Sequence, residues 1–229
     1  VRHTDSVLED AVESLEVYTG AGGDIMLAWA GTKCYNVSTS TPAEVETDLT
    51  EPYVQTAMFS NAADNSQHMI VVNGADTPRT FNGTTMSTLT MTGIDTPSNL
   101  VNVLAFKSRL FFAERDMLGF HYLPIGQIQG ELSYFDLGQV SKLGGYLLTM
   151  ATYSEVGGET PNDYIIFITS KGECIVYNGT DPSDATSWTL VGRFFAGEPI
   201  GRKCSFNFNG ELIILTLEGA VPFSAVRKM

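Results

Sequence analysis

Residues 147–194, LLTMATYSEVGGETPNDYIIFITSKGECIVYNGTDPSDATSWTLVGRF, decide how the chain is read. Four runs rich in β-branched and aromatic residues, LLTMATYS, DYIIFITS, ECIVYNGT and SWTLVGRF, are separated by breaks of Gly, Pro, Asn, Asp and Lys. That is the signature of four strands joined by turns. DYIIFITS (163–170) is apolar without alternation, as a strand covered on both faces requires. Strands nearer the outside of such a unit are more polar and alternate, as STLTMTG does elsewhere in the chain.

The unit recurs. Inner strands are expected at DIMLAWAG (24–31), HMIVVNG (68–74), RLFFAE (109–114), DYIIFITS (163–170) and ELIILTL (211–217). Each is preceded by a strand: SLEVYTG, YVQTAMFS, NVLAFKS, LLTMATYS and KCSFNFN. Each is followed by an aromatic-containing run: KCYNVS, PRTFNGT, LGFHYLP, ECIVYNGT and AVPFS. A fourth strand closes most copies: EVETDLT, STLTMTG, ELSYFDLG and SWTLVGRF. The hairpin before the inner strand is tight in the third and fifth copies (AFKSRLF, FNFNGELI). It swells in the second and fourth (NAADNSQ, EVGGETPN).

One such sheet cannot bury both faces alone, whereas radial packing on its neighbours covers them and leaves only short edges. The expectation is therefore an all-β chain, a β-propeller of about five four-stranded antiparallel blades, forming a single domain over 1–229. A β-sandwich is the alternative. The fifth copy lacks a fourth strand, and RHTDSVLED near the start is the candidate to supply it. That expectation conflicts with the helical spacing of Val7, Leu8, Ala11, Val12 and Leu15 over residues 4–18.

Composition narrows function. The 229 residues are 43% hydrophobic and 17% charged, which suits a large core. A formal charge of −13 excludes a chain that grips nucleic acid by neutralising phosphates, though DNA can pass such a surface without sticking. Cys34, Cys174 and Cys204 form no C-x-x-C or Cys/His cluster, so they read as buried free thiols of a reducing compartment, with no metal. No apolar run is long enough to span a bilayer and the start carries no signal-peptide pattern. The first residue is not Met, so the chain is expected to be processed or cut from something longer.

Catalytic signals are thin. His3 is terminal, His68 lies where a hairpin opens, and His121, in GFHYL, reads as a satisfied strand histidine. TGAGGD (19–24) lacks the Lys-Ser/Thr of a phosphate loop and reads as a hairpin turn. A glycosidase would need two carboxylates converging at the propeller axis, with Asp24, Asp163 and Glu211, and further out Glu114 and Glu173, as candidates. The same positions serve as turn and solvent-facing residues, and the expectation is no catalytic, cofactor-binding or metal residues. The sequons at Asn36, Asn82 and Asn178 carry no weight without a secretory signal; Asn-Gly at a tight turn explains the last two. GFHYLPIGQIQGELSYFDLGQ (119–139) offers either a flat partner surface or aromatic packing between blades.

From about residue 102 to 224, the succession KSRLFFAE, YLPIGQIQGELSYFDLG, GGYLL, KGECIVYNGTDPSDATSWTLVGRF, EPIGRKC and LEGAVPFS resembles tail proteins of short-tailed bacteriophages and related prophages, of the tail-nozzle or tail-tubular type. The likeness covers a little over half the chain, and GTDPSDATSW followed by PIGR is its most specific part. The resemblance implies a propeller-containing virion protein, assembled in the bacterial cytoplasm with other tail proteins as a ring around the DNA exit channel. It implies no enzyme activity and no cofactor. A complete nozzle subunit would be longer, so the chain is a propeller-bearing piece, a short relative, or a differently used virion component. The rival classes are a carbohydrate-binding or glycoside-hydrolysing propeller and a generic propeller interaction scaffold. Contact surfaces are expected on the loops at 61–68, 115–130 and 154–163.

VYNGTDPSDATSW (176–188) aligns with TFNGTTMSTLTM (80–91), where Thr and Ser replace the two acids. It therefore reads as a turn, opened by Asn178-Gly179 and stiffened by Asp181-Pro182, and not as a cation cage. Trp188 is expected to start the outer strand and lie against a blade surface.

Overall fold

The computed structural model describes residue 8, residues 10–155 and residues 162–228. In it the five runs of β-formers become five successive antiparallel sheets, the all-β, β-propeller architecture. The first sheet comprises β1 (Val12–Gly20), β2 (Gly23–Ala30), β3 (Lys33–Asn36) and β4 (Ala43–Glu46). The second comprises β5 (Gln55–Ser60), β6 (Gln67–Val72), β7 (Arg79–Phe81) and β8 (Met86–Thr88). A short β9 (Met91–Thr92) leads into the third sheet, made of β10 (Leu100–Phe106), β11 (Arg109–Glu114), β12 (Gly119–Tyr122) and β14 (Ser133–Asp136). Between its last two strands, β13 (Gly130–Glu131) pairs in parallel with β9. The fourth sheet is β15 (Leu147–Glu155), β16 (Asn162–Thr169), β17 (Glu173–Gly179) and β18 (Trp188–Phe195). The last has three strands, β19 (Ser205–Phe208), β20 (Glu211–Thr216) and β21 (Gly219–Pro222), and ends in the single turn α1 (Phe223–Val226).

The described residues fall into two compact units. One runs to Phe112 and takes in Tyr122–Ser133; the other holds Ala113–His121 and everything from Tyr134 onward. In the first unit, Tyr18, Leu27, Trp29 and Cys34 of the first sheet pack on Met69, Val71 and Phe81 of the second. The opposite face of the second sheet, with Phe59, Ile70 and Val72, packs on Leu100, Val103, Leu110 and Phe112. In the second unit, Tyr164, Ile166 and Ile168 of β16 pack on Leu212, Ile214 and Phe223. On the other face of β16, Phe167 stacks on Phe120 with ring centroids 4.4 Å apart. Covering both faces is why the run YIIFI carries no polar residue. Each buried Ile or Phe there contributes about 1.5–3 kcal/mol of transfer free energy.

The tight hairpins follow their sequences. Asn209 and Gly210 both take positive φ, 50° and 79°, the backbone that lets a two-residue turn match the strand twist. Lys107 and Ser108 take the same handedness, 44° and 61°, without a glycine.

Two expectations are corrected. The helical spacing within 4–18 does not make a helix over its described part: Val12–Gly20 is strand, paired residue by residue with β2 from Ser14↔Trp29 to Gly20↔Gly23. Pairing supplies backbone partners for the whole run, which a short isolated helix does not offer. The proposed closing strand at RHTDSVLED lies almost wholly outside the described residues, as does most of the 154–163 loop. In the last sheet, LIIL is not buried on both faces. Leu212, Ile214 and Thr216 are buried while Ile213 and Leu215 are half-exposed, and Phe206 and Phe208 of β19 are exposed. Register places Phe206 beside Ile213 on that second face.

Candidate interaction surface

Of the carboxylates that a glycosidase would use, Glu173, Asp163, Glu211 and Glu114 are engaged locally. Glu173 is 3% exposed. It accepts the Ser141 hydroxyl at 2.6 Å, the Lys142 amide at 3.0 Å on both oxygens, and the Leu143 amide at 3.1 Å. It therefore pins the connector that leads into the fourth sheet, which Arg193 also grips through the Val140 carbonyl at 3.0 Å. Asp163 accepts the Ser154 hydroxyl at 2.6 Å across the hairpin. Glu211 accepts the Ser224 amide at 2.9 Å, fixing α1 to β20. Asp24 is exposed on the first sheet. Among the described residues, no three His, Cys, Asp or Glu side chains gather as a metal site.

The described histidines are held by neighbouring side chains, although Nδ1 of His121 has no partner among the described residues. His121 is buried, with Nε2 at 2.9 Å from Glu114 and its ring packed on Tyr134. His68 sits between the hydroxyls of Ser66 (Nε2, 2.6 Å) and Thr80 (Nδ1, 3.0 Å), and the Ser66 hydroxyl also lies 2.6 Å from Asp64. The serine carries one proton, and the carboxylate is its stronger acceptor. With the Ser66 hydroxyl donating to Asp64, the imidazole of His68 is left to donate to Ser66, the reverse of what a nucleophile needs. Ser66 bonds hold the Asp64 carboxyl below the usual carboxylate range.

The aromatic stretch 119–139 is mostly packing. Phe120 lies between Phe135 and Phe167, and Trp188 stacks on Tyr177 at 5.2 Å and meets Phe135 at 6.4 Å. Trp188 thus lies against neighbouring sheet surface, as its position promised. Ile128 and Leu132, within and just beyond the expected 115–130 contact loop, are buried in the core of the first unit. In the 61–68 loop, Asn61 and Asp64 cap backbone amides of Ala63 and Ser66.

VYNGTDPSDATSW is a turn, with one correction. Asn178 and Gly179 still belong to β17, paired with Thr189 and Trp188, so the turn begins at Thr180. Gly179, at φ 140°, is required because a Cβ would overlap the Ser187 carbonyl. Asp181 then accepts the Ser183 amide and hydroxyl at 3.0 and 2.7 Å, and Asp184 does the same for Thr186 at 2.9 and 2.7 Å. The Thr186 bonds, with help from Ser187, hold the Asp184 carboxyl below its ordinary range. In the sister copy, Asn82 itself caps the turn through the amides of Thr84 and Thr85, both at 2.9 Å.

All three cysteines are buried thiols. Burial pushes Cys174 up to about 12 and Cys204 to about 11; burial and then Glu46 push Cys34 higher still.

The feature that sequence reading missed is a groove of about 680 Å³ on the first sheet, lined by Leu8, Val12, Leu15, Val17, Met26 and Val37, with Asp24 at its side. Register puts Leu15 opposite Ala28 and Val17 opposite Met26 on one face. The other face of that sheet, with Tyr18, Leu27 and Trp29, holds the core. Leu15 is 54% exposed and Val17 43%. The alternation in SLEVYT was the available signal, hidden by the helical spacing upstream of it.

No known protein family and no curated protein matches this sequence. Among solved structures, the chain is similar to BBS1N in a crystal structure of its complex with ARL6DN soaked with lead. The TM-score is 0.57 and identity 15%, over 94% of this chain and 66% of that one. A mercury-soaked crystal of the same complex matches with a TM-score of 0.42 and 18% identity, over 93% of this chain and 78% of that one. The first likeness shows a shared propeller fold. This chain spans 66% of the length of that solved chain.

Proposed function

We propose that the chain is a non-catalytic propeller that works by protein–protein contact, and that its finer role is structural, as a component of a phage virion tail. The observation that carries the first part is the apolar groove over Leu15, Val17 and Met26, on a sheet whose other face is already core. Apolar surface of this kind marks an interaction site on a soluble protein. The hydrogen-bonded state of Glu173, Asp163 and Glu211 supports the absence of hydrolytic chemistry. That a propeller of similar fold, BBS1N, crystallises in complex with a protein is consistent with this use.

The tail role rests on the resemblance over residues 102–224. In that role the groove seats a neighbouring subunit, and the charge of −13 keeps passing DNA from binding. The test is sedimentation velocity across a wide range of protein concentration. Wild type is expected to self-associate, and Leu15→Asp with Val17→Asp to remain monomeric with unchanged circular dichroism. A wild type that stays monomeric at the highest concentration overturns the contact. Peptides of this chain in purified virions would support the tail role, and their absence there would count against it.

A further inference from the structure

Between the first and second sheets, two buried N–H donors have no acceptor among the described residues: Nε1 of Trp29 and Nε of Arg79. Both side chains line one small cavity, together with Asn73, Asp76 and Thr77. It offers about 10 Å³ to the centre of a water molecule, the size at which one water is accommodated. Leu49, Val54, Val71 and Met86 form the rest of its wall.

We infer that this cavity is a binding site for a single ordered water, which accepts from Trp29 and Arg79 and donates to the Asp76 carboxylate. The hydrogen-bond count closes. A water has two lone pairs for the two donors and two protons that need acceptors. Oδ2 of Asp76 takes the Thr50 amide at 2.9 Å and the Asn73 amide at 2.7 Å, while Oδ1 takes the Thr50 hydroxyl at 2.7 Å. A carboxylate has about four acceptor positions, so Oδ1 retains one. The Thr77 hydroxyl is the second acceptor on the wall.

Asp76 is suited to this. Burial alone would raise its carboxyl, but the Asn73 and Thr50 hydrogen bonds and the Arg79 charge outweigh that and hold it below the usual range. A small anion is disfavoured, because Arg79 is already neutralised by Glu46 at 2.6 Å and Asp76 adds a second negative charge. Apolar cavities stay dry, but one bordered by two donors and a carboxylate does not. The water joins β2 to β7 where the two sheets meet, beside the Thr50–Asp76 bonds that fix their connector.

The chain has two tryptophans, so its proton–nitrogen spectrum carries two indole signals. Trp188→Phe assigns the remaining one to Trp29; if that variant fails to fold, Trp29→Phe assigns it by loss. The expected result is a water–indole cross-peak of the sign given by a bound water. A crystal structure should show density within roughly 2.7–3.2 Å of Trp29 Nε1. A protected indole without a water cross-peak, an empty cavity, or density too strong for a water overturns the inference.

Discussion

Removing the Glu173 carboxylate should weaken the second compact unit by an amount its hydrogen bonds set. The side chain satisfies three donors of the 141–143 connector, from 2.6 to 3.1 Å. A hydrogen bond to a charged acceptor contributes about 1.5–3 kcal/mol, so the simple sum would be about 4.5–9 kcal/mol. Lys142 and Leu143 are exposed, however, and their amides regain water once the carboxylate is gone. The expected loss for Glu173→Ala is therefore about 3 kcal/mol. Glu173→Gln keeps an oxygen at the position of Oε2, which takes all three donors; it loses the charge and puts an NH2 in place of Oε1, 3.0 Å from the Lys142 amide, and should cost about 1.5–2 kcal/mol. The assay is urea unfolding in a Trp29→Phe background, so that Trp188 reports on the unit containing Glu173. With about 2–4 °C per kcal/mol for a chain of this size, the alanine variant should melt about 6–12 °C lower. An alanine variant within 0.5 kcal/mol of its parent refutes the reasoning, as does a glutamine variant that is equally damaged.

Two further outcomes follow from geometry. In the native protein the three thiols should not react with a disulfide reagent at pH 8, and should all react after denaturation, because burial raises Cys174 to about 12 and Cys204 to about 11; one fast native thiol would contradict this. Asp181→Ala with Asp184→Ala should leave the melting temperature indifferent to calcium, and a calcium-dependent rise of several degrees in the wild type alone would restore the cation-cage reading. Because its hydrogen bonds depress Asp184, the stability it contributes is present above the unfolded carboxyl's range and fades only as pH falls through the folded value.

The repeat was legible because inner strands cannot hide their burial. YIIFI and LFFA are apolar on consecutive residues, and only a strand covered on both faces requires that. Asn209-Gly210 announced its hairpin for an equally local reason. What failed was whatever depended on partners distant in sequence. Val7, Leu8, Ala11, Val12 and Leu15 have helical spacing, which competes with the strand legible at SLEVYTG; the hairpin pairing of residues 12–20 with 23–30 decides it. LIIL is as apolar as IIFI, yet only one of its faces is deeply buried. A run of apolar residues shows that a strand is compatible with two covered faces, not that both exist.

The same distinction explains the carboxylates. At sequence level, Glu173 and Asp163 were acids at the starts of strands, where a propeller enzyme would also place its pair. Their donors give each a structural role. Glu173 accepts two backbone amides and a hydroxyl of the 141–143 connector. Asp76 is built on the same plan, holding the 47–54 connector as Glu173 holds 141–143. Connectors between sheets leave backbone amides without ladder partners, and an acid at a nearby strand start can reach across to satisfy them. An acid at such a position is explained by the connector first, and a catalytic claim needs a carboxylate whose donors do not already account for it.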